Sequence, residues 1–255
     1  MKPSFLNHDK PLITAMILCE TPEECIAKIK ASIEDGADAI GIQLCKLKLE
    51  YRTREILTEI FAACEGKPIY VTSYHENHSI DFTDEQCVEY LLLALDCGAT
   101  LCDVEGDLYD RKQKFQLTTD KEAIKKQKAL IDEIHRRGGE VLMSCHTNMS
   151  ITLEESLMIA REQAARGADV LKIVSVAHEK SEIPKYIDAI QKICAVTDKK
   201  LLYLVSGEGQ IIRYLGPSFG VCMYLALHKQ GKLDNKWQPL IKNIKPIRDN
   251  MNFSI

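Results

Sequence analysis

The sequence lacks any apolar run approaching the roughly 18 residues a membrane-spanning helix needs, so no membrane anchoring is expected. It lacks a Lys/Arg-rich arm and carries a formal net charge of −4, a balance that does not favour nucleic acid as a partner. The opening "MKPSFLNHDK" is polar and has none of the apolar centre of a signal peptide. There are ten cysteines but no CxxC pair, which removes the usual zinc-ribbon and thioredoxin spacings. Five of them (Cys19, Cys45, Cys102, Cys145, Cys222) fall in apolar runs with strand character. They read as reduced, buried small hydrophobes of a cytoplasmic protein. No linker or low-complexity segment interrupts the chain, so residues 1–255 are expected to form one domain.

What is present is periodic. Apolar residues at 45% and charged residues at 27% suit an ordinary core. One pattern occurs three times: "TPEECIAKIKASIEDGAD" from Thr21, "TDEQCVEYLLLALDCGAT" from Thr83 and "TLEESLMIAREQAARGAD" from Thr152. Each opens with Thr followed three residues later by Glu or Gln, the signature of a capping box. Pro22 takes the first helical position of the first copy, where a missing N–H matters least. Gly36, Gly98 and Gly167 are placed to end the three helices, and each leads into a short apolar run. Residues 121–137 have the alternation of an amphipathic helix. Further strand-like runs cover residues 12–20, 68–74, 140–146, 201–207 and 220–227, the last of which also reads as a helix. Eight apolar runs alternating with helices over about 250 residues predict a (β/α)8 TIM barrel of the α/β class. A doubly wound sheet is the alternative, but no G-x-G-x-x-G follows the first strand.

In such a barrel the site lies where strands end. Lys172 stands inside "GADVLKIVSVA" and His146 ends "EVLMSCH" on the preceding strand. Burial disfavours the charged form of an amine, and a neutral amine attacks ketones to form a Schiff base. Imidazole relays protons near neutral pH. The structural alternative is a lysine paired with a carboxylate such as Glu105. Asp103 and Glu105, in "LCDVEGD", are equally suited to an ion pair and to orienting Lys172 or His146. His75, Glu76 and His78, in "TSYHENHS", have the composition of metal ligands, but a Schiff-base enzyme needs no metal, and none is expected.

The stretches "EVLMSCHTN", "GADVLKIVSV" and "SGEGQIIRYLGPSFGV" resemble those of the type I 3-dehydroquinate dehydratases. The resemblance implies a cytoplasmic (β/α)8 barrel, commonly a homodimer, that dehydrates 3-dehydroquinate to 3-dehydroshikimate without cofactor. It implies that Lys172 forms the imine, that His146 transfers protons and that Arg213 binds oxygen functions of the substrate. Elsewhere the chain departs from the family. Gly41 and Gln43 stand where Glu and Arg follow the second strand. Tyr74 and His78 take the places of an Arg and of the Glu that assists the histidine. Lys232 and Lys236 fall at the spacing of a Ser and a Gln near the C-terminus. The expected small-molecule contacts are therefore Arg213, Gln43, Tyr74, His78, Glu105 and Lys236, around a hydroxy ketone that is 3-dehydroquinate or a related cyclic or sugar-derived ketone. A class I aldolase using the same lysine, and a barrel that only binds a ligand or protein, remain as alternatives.

Overall fold

The computed structural model describes residues 3–74 and 82–253. Eight strands alternate with helices: β1 (Leu12–Ile17), β2 (Ala39–Gln43), β3 (Ile69–Thr72), β4 (Leu101–Glu105), β5 (Glu140–His146), β6 (Val170–Ala177), β7 (Lys200–Gly207) and β8 (Met223–Ala226). The helices are α1 (Pro22–Glu34), α2 (Arg54–Ala62), α3 (Asp84–Cys97), α4 (Lys121–Arg136), α5 (Leu153–Ala165), α6 (Ile183–Val196), α7 (Ile212–Leu215) and α8 (Ile241–Asn250). All pairings are parallel, in the order β7-β6-β5-β4-β3-β2-β1-β8. The two ends meet through a parallel bridge between Leu201 and Val221, and the Cys222 N–H donates to the Leu201 carbonyl at 2.8 Å. The predicted (β/α)8 barrel is therefore formed. No described helix is long and apolar enough to cross a membrane.

The last run resolves as a strand. A short 3-10 turn at Gly216–Phe219 stops at Gly220, whose φ of 119° breaks a helix, and β8 follows. The three repeated helices end as expected, on Gly36, Gly98 and Gly167 at φ of 97°, 120° and 104°. Their starts differ. Thr83 and Thr152 form complete capping boxes with Gln86 and Glu155. Thr21 accepts from the Glu24 N–H, but the Glu24 carboxylate reaches the Glu20 N–H instead. Between barrel and helices the packing is aliphatic, with Ile29, Leu95, Ile131, Ile159 and Ile190 fully buried, the burial that drives such a fold.

The cysteines depart from expectation. Cys19 and Cys25 stand side by side, with Cα atoms 5.4 Å apart, within the reach of a disulfide. Cys19 and Cys45 lie just after β1 and β2 and Cys222 just before β8 rather than within strands, while Cys102 and Cys145 are inside β4 and β5. The apolar runs around Cys19 and Cys45 are longer than their strands, because the chain turns at the barrel mouth before it becomes polar.

Gly41 makes room inside the barrel. It pairs with Tyr70 on the neighbouring strand. A Cβ there would lie 2.4 Å from the Met16 sulfur and 3.1 Å from the Tyr70 ring. The place of the missing side chain is taken by the Met16 thioether, with the edge of the Tyr70 ring beside it. Gly41→Ala is expected to destabilise the fold by about 1–3 kcal/mol through overpacking. The urea midpoint reads this, and an unmoved midpoint would mean that Met16 and the ring give way freely.

Candidate active site

Side chains alternate across a strand, and the register sets who meets whom. Lys172 pairs with Ser144 of β5, two residues before His146, which pairs with Val174. Lys172 is only 3% exposed. Its ammonium donates to the Tyr74 hydroxyl at 2.7 Å, the Tyr70 hydroxyl at 3.0 Å and Asp103 Oδ2 at 3.1 Å. Tyr70 and Tyr74 both donate to that same Asp103 oxygen, Tyr74 at 2.6 Å. Burial pushes the Asp103 carboxyl upward, but the neighbouring Lys172 cation and the hydroxyl donors outweigh it and hold it below its ordinary value. Burial, reinforced by the Asp103 charge, raises both tyrosines well above 10.0, so both hydroxyls keep their protons as donors.

This core is tied together by charge. Asp103→Asn removes the only carboxylate paired with Lys172 among the described residues. Breaking a buried pair costs about 3–5 kcal/mol. The variant is expected to lose stability on that scale in urea unfolding at pH 7; a change below about 1 kcal/mol would mean that the amine sits there as readily without its partner.

His146 is held from another direction. The Gln116 side-chain oxygen accepts from the His146 backbone N–H and from Nδ1, each at 2.7 Å. The Tyr74 ring meets the imidazole edge to face at 5.4 Å. Burial, with the nearby Lys172 cation, lowers the imidazole to about 3, so the ring is neutral at pH 7 with Nε2 carrying its lone pair.

A cavity of about 300 Å³ opens above Lys172, with His146, Tyr74, Gln43, Lys46 and Arg213 in its wall. Arg213 is buried and donates to the Val205 carbonyl at 3.0 Å and the Ser206 hydroxyl at 3.1 Å. No carboxylate among the described residues pairs with it. Burial lowers it to about 10, which leaves a cation at the cavity wall with capacity for an anionic ligand.

A family model of the type I 3-dehydroquinase matches residues 13–247. The chain belongs to that family. Membership makes it an enzyme of the 3-dehydroquinate dehydratase kind. Three solved structures have the same fold. The 3-dehydroquinate dehydratase of Enterococcus faecalis is 17% identical with a TM-score of 0.78, over 98% of this chain and 99% of the other. That of Geobacillus kaustophilus is 14% identical with a TM-score of 0.81, over 96% and 92%. The type I enzyme of Clostridium difficile, solved with covalently modified comenic acid, is 18% identical with a TM-score of 0.81, over 98% and 96%. No curated protein sequence matches the chain.

In this member of the family the expected contacts divide. Lys172, His146, Arg213, Gln43 and Tyr74 share one cavity. Glu105 does not contact Lys172. It accepts from Arg111 at 2.6 Å and Gln116 at 2.8 Å, and lines a neighbouring cavity of about 440 Å³. The β4–β5 register places Glu105 opposite Ser144, and Arg111, from the loop beyond, claims its charge. Lys236 is absent from the wall; its ammonium lies 4.8 Å from the Trp237 ring centre, a cation–π contact, while Asn235 and Gln238 of the same loop line the cavity. His78, with His75 and Glu76, lies outside the described residues. Sequence reasoning missed Tyr70, Lys46 and Gln116. Tyr70 had a signal, because it falls in phase with Thr72 and Tyr74 along "PIYVTSY". Gln116 had none.

Proposed function

We propose that this chain eliminates water from a 3-hydroxy ketone, 3-dehydroquinate or a related cyclic or sugar-derived ketone, through an imine on Lys172 with His146 as acid and base. The observation that carries the reading is the buried Lys172 amine, the His146 imidazole with Nδ1 on Gln116, and the buried Arg213, paired with no carboxylate among the described residues, around a single cavity. Lys172 Nζ, once deprotonated, adds to the ketone carbon, and the carbinolamine loses water to give an iminium ion. The iminium acidifies the neighbouring C–H. His146 Nε2 takes that proton and returns it to the departing β-hydroxyl. Hydrolysis of the imine releases the enone and restores Lys172. Arg213 offers its guanidinium to a carboxylate of the substrate. No step calls for a cofactor. The family's dimeric habit supports a homodimer.

The test is incubation with 3-dehydroquinate and borohydride, followed by peptide mass spectrometry and product analysis. Reduced ligand on Lys172 with an enone product is expected. An adduct accompanied by C–C cleavage would make the chain an aldolase instead. If no hydroxy ketone gave an adduct with folded protein, the imine reading would fall.

A further inference from the structure

We infer that Gln116 is a positioning residue for His146, carried in by the connection between β4 and α4, and that it fixes the imidazole proton on Nδ1 so that Nε2 is the basic edge. Its catalytic meaning rests on the proposed role of His146 as acid and base.

The connection, residues 106–120, is unusual backbone. Tyr109, Lys112, Phe115 and Gln116 all have positive φ, at 72°, 68°, 64° and 54°. Non-glycine residues rarely adopt this region, and they persist there only where the surroundings enforce it. Here they do. Asp84 accepts from the Tyr109 N–H at 3.0 Å and from Arg111 Nε at 2.7 Å. Asp107 accepts from the Lys112 N–H at 3.1 Å. Gln127, buried on α4, donates to the carbonyls of Gly106 and Leu108. Arg166, buried just past α5, donates to those of Gly106 and Thr118 at 3.0 and 2.6 Å. Two helices and two carboxylates thus hold the loop in a conformation it would not choose.

What that conformation delivers is the Gln116 amide. A backbone N–H can only donate, so the atom facing the His146 N–H is the amide oxygen, and the ring nitrogen on the same oxygen must carry a proton. The other end of the amide donates to Glu105 Oε1 at 2.8 Å, and Arg111 secures Glu105 from beyond. The chain Arg111–Glu105–Gln116–His146 is consistent in one proton arrangement only. Among the described residues, the charged and titratable groups acting on the imidazole from other elements are Lys172 on β6, Asp103 on β4, Arg213 on α7 and Tyr74 after β3.

The test reads the ring itself, without substrate. ¹⁵N-histidine NMR, with His146→Gln to assign the resonance, gives tautomer and titration. Wild type is expected to hold the Nδ1–H form between pH 6 and 8. Gln116→Ala should shift the ring toward Nε2–H and lower kcat by roughly tenfold or more at unchanged KM. Gln116→Glu made together with Glu105→Gln keeps an acceptor for His146 and swaps donor and acceptor at the 2.8 Å contact behind it, so the double variant should keep Nδ1–H and move the His146 titration to higher pH. An Ala variant that retains Nδ1–H overturns the inference. Should Ala unsettle the loop, the double variant decides: an unmoved His146 titration there overturns it equally. Loss of the Lys172 adduct in wild type would instead strike at the imine reading and leave the NMR result standing.

Discussion

Lys172→Ala should give a folded barrel that forms no borohydride-stable adduct and turns over no hydroxy ketone. The loss expected is at least on the order of 10⁴-fold, since removing a covalent nucleophile deletes the pathway rather than one contact along it. The same change leaves Asp103 buried with hydroxyl donors but, among the described residues, no paired cation, so some stability goes with it. Lys172→Met separates the two effects. It fills nearly the same volume without an amine, and it should be equally inactive. Circular dichroism and urea unfolding establish that each variant is folded; turnover and adduct mass then decide. A reduced adduct on another lysine, or turnover within tenfold of wild type, would remove Lys172 from the chemistry and leave it the ion-pair partner of Asp103.

His146→Ala should lower kcat by roughly 10²–10⁴, the usual weight of a general acid–base group. The imine should still form and still be trapped on Lys172, because His146 is needed most after the iminium exists. Rapid turnover in this variant would transfer the proton work to another group. A second signature is thermodynamic. In the folded chain His146 is lowered from 6.5 to about 3 by burial and Lys172. Its contribution to stability is therefore complete above pH 6.5 and is lost as pH falls toward 3, where the unfolded chain takes up a proton that the folded one refuses. Glu105 runs the other way. Burial raises it from 4.5 to about 7, so its contribution is complete below pH 4.5 and is lost as pH rises through 7. Between pH 4.5 and 6.5 the two slopes oppose each other. His146→Gln removes one of them. Relative to wild type, that variant should gain about 2 kcal/mol between pH 6.5 and pH 5, read from urea midpoints at the two values. Parallel pH dependence in both proteins would show that the imidazole titrates normally in the fold.

The elements of this barrel were legible because their signals are local. A strand buried on both faces reads as an apolar run, and a helix as a cap, a 3.6-residue period and a glycine stop. The repeats from Thr21, Thr83 and Thr152 held all of these within eighteen residues each. Even there, Glu24 turned to Glu20 instead of closing its box, because a neighbouring N–H competes on equal terms. The pair Lys172 and His146 was visible for the same reason: successive parallel strands are neighbours by rule, and polar residues stand out against apolar runs.

Alternation, fold class and the two residues at the centre of the proposal could all be read from the order of amino acids. What surrounds those two residues could not, because it depends on how the barrel closes. Asp103 and Glu105 are two residues apart on one strand and chemically alike. Closure of the barrel turned Asp103 toward Lys172, and a loop with no periodicity brought Arg111 to Glu105. Tyr70 reaches the lysine from β3, across the barrel from β6, beside the bare Cα of Gly41. Gln116 reaches His146 across 30 positions of sequence because α3, α4 and the end of α5 force four residues into the left-handed region. A periodic pattern encodes what a segment buries. It carries no record of contacts between segments, and those contacts set the charge and the proton positions on which the chemistry depends.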